Sequence, residues 1–537
     1  MAIDDPARGT TTDPLRTPTA EPTATAEPTA TAEPTPAVEP APTTEPAPTT
    51  ESPSAESPSA EPAPATGTAG PPAPASTWSA LRPLALRVHF YAGLLIAPFL
   101  LVAAVSGLLY ALSFQAEKVV YRHELRVPAG ERALPLSAQV DAARAARPDG
   151  TVTAVWPSAE EGATTRVIMS SPRVEEGRSL AVFVDPYTAE VRGALPSYGS
   201  SGALPLRTWL DHLHRDLHLG DLGRHYSELA ASWLWVVALG GLLLWAGRGR
   251  LGKRTARTLL LPRRGPKSRR RTLSWHGSVG LWAVTGLVLL SATGLTWSRY
   301  AGENIGALQD GLGGATPTVS ATLDTPGGAA GGAGHEGHEG HGAGHHPDPA
   351  PAGTDIGIDK AVAAAGAAGV AGRISVVLPT DGTGYVVKET DTQFPLHLDS
   401  VAVDPADGEV LDVLRFADYP LLAKLTRIGI DAHTGAFLGL PNQLLLATLM
   451  LALVSLILWG YRMWWLRRPT RERLLSAGRP VPRGAWRKAP VTLLLPLAAA
   501  TALVGWFVPL LGLSLLAFLA VDATLSLVAR RRAARLA

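Results

Sequence analysis

Long apolar stretches separated by polar loops dominate the pattern of the chain. Apolar runs extend over Tyr91–Phe114, Leu229–Ala246, Val279–Trp297 and Gln443–Trp465, and a closely spaced pair lies within Val491–Val528. About 20 helical residues cross the roughly 30 Å of hydrocarbon in a bilayer, so these runs are long enough to span it. The pattern predicts a polytopic α-helical membrane protein with about six transmembrane helices.

Two long segments between these runs have the pattern of small mixed domains. Residues 115–228 contain a helix-like stretch, Ser137–Arg147, followed by the letters SLAVFVDPYTAEVRG. Residues 298–440 contain Ile358–Ala368 and then LDSVAVDPADGEVLD. In both, an alternating apolar strand meets an Asp-Pro turn and a second strand, which is typical of a β-hairpin. Each segment is therefore predicted to form a small α+β domain.

Basic residues predict how the chain is oriented in the inner (cytoplasmic) membrane. Lys and Arg cluster in residues 248–274 and 467–489, in Arg82 and Arg87 before the first run, and at 530–532. Such residues stay on the cytoplasmic side, so we expect both termini in the cytosol and both α+β domains outside.

The predicted organisation also includes a tail of Pro, Thr, Ala and Glu that has too few apolar residues to fold. In chain order we expect a disordered cytosolic tail (1–77), transmembrane helix 1 (82–114), external domain 1 (115–228), helix 2 (229–247), a basic cytosolic loop (248–274), helix 3 (275–297), external domain 2 (298–440), helix 4 (441–466), a second basic loop (467–489) and helices 5 and 6 (490–529).

The two halves of the chain share the positions of several residues. Gly107 follows His89 by 18 residues, and Gly294 follows His276 by the same 18. The second and fourth runs also end in similar letters, LWAGR and LWGYR. The sequence therefore predicts an internal two-fold repeat of span, external domain and span.

Histidines at the ends of these runs are the candidate binding residues. The chain has no cysteine, which excludes disulfides, iron-sulfur clusters and thiolate metal sites. His89 and His276 lie at the cytosolic ends of two runs, each with a glycine four residues later on the same helical face. A lone histidine there is more often an interfacial residue bonded to water. Two equivalent ones instead suggest a bis-histidine pair around one haem iron.

A second pair is predicted at the external ends. The letters LDHLHRDLHLG place His214 and His218 before the second run, and His433 precedes the fourth. His433 could pair with either His214 or His218, and both choices stay open. Two haems at different depths would let electrons cross the membrane.

A third group of histidines lies in the predicted external domain 2. The Gly-rich letters HEGHEGHGAGHH contain His335, His338, His341, His345 and His346. Such flexible tracts bind Cu, Ni or Zn, and metal capture and a solvated linker are about equally well supported.

These motifs resemble those of membrane proteins with PepSY domains and PepSY-associated transmembrane helices, which include ferric-siderophore reductases. The similar elements are His89 with Gly93, the LHRDLHLG letters, the two Asp-Pro hairpins and His433-Thr-Gly, within residues 80–470. The resemblance implies PepSY-like external domains and haem b held by His89, His276, His214 and His433.

The resemblance favours a ferric reductase that moves electrons from an unidentified donor to a ferric siderophore or another external metal complex. A non-redox protein that regulates a peptidase or an envelope process is the alternative, as is a copper or iron acquisition factor. Nucleic acid is not an expected partner, because the Arg-rich loop at 248–274 is better explained by topology and contact with anionic lipid.

Overall fold

The computed structural model describes residues 77–249, 260–262, 265, 268–323, 355–467 and 490–536. The predicted tail, the His-rich loop and most of both basic loops lie outside these residues. The helices are, in chain order, α1 Thr77–Leu95, α2 Ala97–Val120, α3 Arg122–Leu125, α4 Leu136–Ala146, α5 Pro205–Arg215, α6 Asp221–Gly249, α7 Arg269–Thr296, α8 Tyr300–Gly311, α9 Ile358–Ala367, α10 Leu421–Thr434, α11 Leu440–Trp465, α12 Val491–Phe507 and α13 Pro509–Leu536.

Five of the described helices, α2, α6, α7, α11 and α13, are long and apolar enough to cross a membrane. The α12 helix is also apolar but shorter. Small and branched side chains of α2, α6, α7 and α11 pack into a shared core, which includes the buried residues Leu100, Ala104, Leu287 and Leu453. The prediction of a polytopic membrane protein is confirmed by these helices.

The first predicted span is divided between two helices. Its amino-terminal part belongs to α1, which ends at Leu95, and α2 begins at Ala97. Pro98 has no N–H to donate to the carbonyl of Leu94, so the helical hydrogen-bond ladder is interrupted there. The hydroxyl of Tyr461 donates to that carbonyl instead, at 3.0 Å. His89 therefore lies on α1, and the kink separates it from the long apolar helix.

The strands form one antiparallel sheet. They are β1 Thr151–Trp156, β2 Thr165–Ser170, β3 Ser179–Val184, β4 Val191–Ser197, β5 Ile374–Val377, β6 Tyr385–Glu389, β7 Ser400–Val403 and β8 Val410–Leu414. Their spatial order is β4-β3-β2-β1-β5-β6-β7-β8. Both predicted Asp-Pro hairpins are confirmed, because β3 pairs with β4 and β7 pairs with β8.

The two predicted α+β domains are joined rather than separate. Val155 of β1 pairs with Val376 of β5, which makes the two four-stranded halves continuous. The predicted helices are present as α4 and α9, and both contribute side chains to the core that the valines of the sheet share. Alternate residues of β2, β3, β6 and β7, such as Val167 and Val401, supply apolar faces in both halves, and these faces share one core.

Candidate functional site

Two of the predicted histidines lie side by side at one end of the apolar helices. The imidazole of His89 on α1 and that of His276 on α7 have ring centres 6.3 Å apart, with 73° between the ring planes. They are called the far-side pair here, because the helices carry them at the end away from the sheet.

Backbone carbonyls orient both rings of the far-side pair. The Nδ1 atom of His89 lies 3.0 Å from the carbonyl oxygen of Val237 on α6. The Nδ1 atom of His276 lies 3.0 Å from that of Leu456 on α11. A carbonyl oxygen can only accept, so in both rings Nδ1 carries the hydrogen and Nε2 carries the lone pair. This is the tautomer that binds a metal through Nε2.

Gly241 makes room for the His89 ring. A Cβ atom at this position would lie 3.0 Å from Cε1 of His89, closer than ordinary van der Waals contact. The ring therefore approaches the α6 backbone because that position has no side chain. Sequence analysis selected the glycines on the histidine helices and missed this one on the neighbouring helix.

The other pair forms where the helices approach the sheet region. His214 at the end of α5 and His433 at the end of α10 have ring centres 6.5 Å apart, with 54° between the planes. They are called the sheet-side pair. The sequence left open whether His214 or His218 accompanies His433. In the structure His214 is the one that lies beside His433.

Hydroxyl groups orient the sheet-side pair in the way that carbonyls orient the far-side pair. The Nδ1 atom of His214 lies 2.9 Å from Oγ of Ser106, and that of His433 lies 2.7 Å from Oγ1 of Thr293. Each hydroxyl donates its own hydrogen to a carbonyl of the preceding helical turn, at 2.8 Å for Ser106 and 2.7 Å for Thr293. Its oxygen then accepts from Nδ1–H, which again leaves the lone pair on Nε2.

Glycines and burial complete the surroundings of the sheet-side pair. Cβ atoms at Gly107 and Gly294 would lie 3.2 Å from Cε1 of His214 and 3.4 Å from Cε1 of His433. Burial lowers the pKa of both histidines, and for His433 burial and the neighbouring His214 lower the pKa to about 3. Both rings are therefore neutral at physiological pH, as a metal ligand must be.

The residues that mark the two pairs are equally spaced in the two halves of the chain. Ser106 follows His89 by 17 residues, and Thr293 follows His276 by 17. On α7, which carries both His276 and Thr293, this is about 25 Å along the helix axis at 1.5 Å per residue. The two pairs thus lie near opposite ends of the apolar helices. The sequence contained a signal for Ser106 and Thr293, because the glycines that follow them, Gly107 and Gly294, are equally spaced from His89 and His276.

Other predicted residues lie elsewhere. His218 packs against Trp209 and His212, with ring centres 5.0 Å and 5.9 Å away. The His-rich loop, His335 to His346, lies outside the described residues. Among the residues that are described, no group of three or more His, Asp or Glu side chains is arranged to hold a metal ion.

Together the helices, the sheet and the histidine pairs define a polytopic membrane protein with an antiparallel sheet region. Residues 86–467 match the PepSY-associated TM region family. The match covers more than half of the chain, so the protein belongs to this family, as its motifs indicated. No curated protein matches the chain.

Proposed function

We propose that this protein is a haem b-containing membrane oxidoreductase that passes electrons outward to reduce ferric iron held in a siderophore or a similar complex. The observation that carries the proposal is the geometry of the two histidine pairs. A metal–imidazole bond of about 2 Å puts the ring centre about 3 Å from the metal. Two imidazoles on opposite sides of one iron therefore have ring centres about 6 Å apart, and the pairs have 6.3 Å and 6.5 Å.

The donor set fits haem b as well as the distances do. All four rings have Nδ1 engaged with a protein oxygen, so ligation would use Nε2. Such hydrogen bonds fix the ring orientation and raise the basicity of the ligand. Glycines lie against three of the rings, at Gly107, Gly241 and Gly294, where a side chain would occupy space beside the imidazole. His89 and His276 would hold one haem and His214 and His433 the other.

The chain's own residues would position the cofactors and exclude water. When bound, haem supplies one-electron transfer, and the protein sets its potential through axial ligands, hydrogen bonds and burial. The buried side chains between the two levels, among them Leu100, Ala104 and Leu287, keep the space between the pairs apolar. The buried imidazoles of the sheet-side pair, whose pKa values are lowered, favour iron ligation over proton binding.

We include an internal two-fold repeat in the proposal. The contacts of His89 with Val237 and of His276 with Leu456 are equivalent, as are those of His214 with Ser106 and His433 with Thr293. The order of the strands is also symmetric about the β1–β5 junction. These contacts support the repeat. They align Val237 with Leu456, and this alignment differs by five residues from the one that matches LWAGR with LWGYR.

Six spans are likewise part of the proposal, with α12 as the additional one. Its 17 residues reach the lower limit for crossing a bilayer. The carbonyl of Phe507 at its end accepts from Asn304 of α8, at 2.9 Å, and α8 follows the sheet-side end of α7. Asp522 of α13 pairs with Arg87 of α1, near the far-side pair. This arrangement supports a hairpin of two spans, and the basic residues support a cytosolic location of the far side.

Optical spectroscopy tests the proposal directly. We expect purified protein to contain two low-spin b-type haems per chain, measured by a reduced-minus-oxidised spectrum and by haem extraction. His89→Ala and His276→Ala should each remove the same haem, and His214→Ala and His433→Ala should remove the other. His225→Ala is the matched control, because that ring instead contacts Tyr300 at 3.0 Å.

Reduction of iron is tested in the same preparation. Chemically reduced protein in liposomes should be reoxidised by an added ferric siderophore, with ferrous iron captured by a chromogenic chelator. Protein without haem would overturn the proposal and favour a non-redox regulator of a peptidase or envelope process. If the reduced haem is not reoxidised by ferric complexes, iron reduction is ruled out as the function. Metal acquisition then becomes the favoured alternative.

A further inference from the structure

Two histidines outside the proposed haem sites form a pair of their own. The rings of His212, on α5, and His218, just after α5, have centres 5.9 Å apart and lie within 31° of parallel. His218 is exposed, and the side chain of His212 retains 23% of its exposure. This pair, called the His212/His218 pair, is therefore reachable from solvent.

An unusual turn brings His218 back over the end of α5. Leu217 and His218 both have positive φ, at 54° and 55°, although neither is glycine. Such a conformation costs free energy for residues with a side chain, so the surrounding contacts must hold it. One of these contacts is from the backbone N–H of His218 to Oδ1 of Asp216, at 3.0 Å. Trp209 packs against the His218 ring, with ring centres 5.0 Å apart.

The same aspartate orients His212. Oδ2 of Asp216 lies 3.1 Å from Nδ1 of His212. Because a carboxylate only accepts, Nδ1 carries the hydrogen and the lone pair is on Nε2. Nη2 of Arg215 also lies 3.3 Å from this Nδ1, farther away than the carboxylate oxygen, while Nη1 of the same guanidinium donates to the hydroxyl of Tyr198 at 2.9 Å. A carboxylate that accepts from the second nitrogen is the usual companion of a metal-binding histidine.

The fold of this connection does not require either histidine. The corresponding connection after α10 turns with Gly435, at φ 96°, and carries no histidine beyond His433. If His433 is matched with His214, Asp431 and Phe437 occupy the positions of His212 and His218. The two connections make the same passage from a short helix to a long apolar one, so the histidine pair is an addition to one of them.

We propose that the His212/His218 pair binds one divalent transition-metal ion through Nε2 of His212 and a ring nitrogen of His218. With a ring centre about 3 Å from the metal, two imidazoles on one ion have centres roughly 4.5 to 6 Å apart, depending on the bond angle. The observed 5.9 Å lies within this range. Imidazole suits Fe²⁺, Cu²⁺, Ni²⁺ and Zn²⁺ more than it suits ions that prefer oxygen.

The number of protein ligands defines the kind of site. Structural zinc sites use four protein ligands, whereas two histidines leave the other positions to water or to the ligands of an incoming complex. The pair therefore binds an exchangeable ion. If the protein reduces ferric complexes as proposed, the bound ion is Fe²⁺ released from its hard oxygen ligands. His212 lies two residues before His214 on α5, close to the proposed site of reduction.

Metal titration of the full chain tests the site. The parent should carry serine in place of His335, His338, His341, His345 and His346, so that the loop cannot bind the probe. We expect one equivalent of Cu²⁺ to bind with electron paramagnetic resonance features of two coordinated nitrogens. His212→Ala and His218→Ala should each weaken binding at least tenfold, and Asp216→Asn by about 10- to 100-fold.

Two controls separate this result from other causes. His225→Ala should leave Cu²⁺ binding unchanged, and the haem spectrum of every variant should match that of the parent if the variant is folded. Unchanged Cu²⁺ affinity and nitrogen features in the His212→Ala/His218→Ala double variant would overturn the inference. Binding that depends on both histidines in a protein without haem would support the site while removing the proposed reductase function.

Discussion

The hydroxyl of Thr293 offers the sharpest test of how the sheet-side pair is held. Thr293→Val replaces the hydroxyl with a methyl group of similar size and leaves the packing of Trp297 against His433 in place, where the ring centres are 5.2 Å apart. The substitution removes the oxygen that lies 2.7 Å from Nδ1 of His433. The Nδ1–H group is then buried without its acceptor.

The magnitude follows from the cost of an unsatisfied buried donor. That cost is about 1–3 kcal/mol, which corresponds to a loss of about 5- to 150-fold in affinity for the proposed haem at the sheet-side pair. The hydrogen bond also makes the imidazole a stronger electron donor, which favours ferric iron. Its loss should therefore raise the midpoint potential, and each 1 kcal/mol of differential stabilisation corresponds to about 40 mV for one electron.

Spectroelectrochemical titration in lipid nanodiscs measures the midpoint potential of each proposed haem. We expect one of the two haem potentials to rise by tens of millivolts in Thr293→Val, with the other unchanged. Thr448→Val is the matched control, because its hydroxyl donates to the Leu444 carbonyl at 2.7 Å on an exposed face of α11 and contacts no histidine. If Thr293→Val retains haem with an unchanged potential while His433→Ala loses it, the hydrogen-bond assignment is wrong.

Three further changes test other parts of the structure. Gly241→Leu should displace the His89 ring and remove only the proposed far-side haem, which the difference spectrum measures. Gly366→Leu is the control and should retain both haems, because a Cβ atom there would meet no atom within 4 Å. Tyr461→Phe should destabilise the folded protein by about 1 kcal/mol in detergent unfolding, and less in a Pro98→Ala background, where a helical N–H can bond to the freed carbonyl. Glu117→Gln should break the buried ion pair with Arg207, in which N and O lie 3.2 Å apart, and lower the free energy of unfolding by about 3–5 kcal/mol. A Glu117→Leu/Arg207→Met double variant should lower it by less, because no charge is left buried without a partner. Equal losses in the single and double variants would show that the charges do not depend on each other.

Sequence analysis predicted the elements well because their signals are local. Apolar runs of sufficient length indicated the membrane helices, and the Asp-Pro turns indicated the hairpins β3–β4 and β7–β8. The boundary at Ile96 was missed, although Pro98 was visible, because an apolar run is counted by composition and not by its hydrogen bonds. The short α12 and the length of α13 likewise follow from Pro509, which separates them.

The joining of the two α+β units could not be predicted from either segment. Each segment has a complete pattern of helix and strands. Nothing in that pattern specifies whether the free edge of β1 faces solvent or pairs with a strand of the other segment. The pairing of Val155 with Val376 unites residues more than 200 positions apart. Edge strands present unpaired backbone groups, and here each half covers the edge of the other.

The sequence by itself determined which residue types could hold a cofactor, because histidines at helix ends are few and a cysteine-free chain has few other ligands. Only the tertiary structure decided that His214 faces His433 while His218 turns back toward His212. It also supplied the Nδ1 acceptors, such as Val237, which lies 148 positions from His89. The physical reason is that periodicity reports which side of a helix is apolar, whereas the meeting of two side chains depends on how separate helices pack.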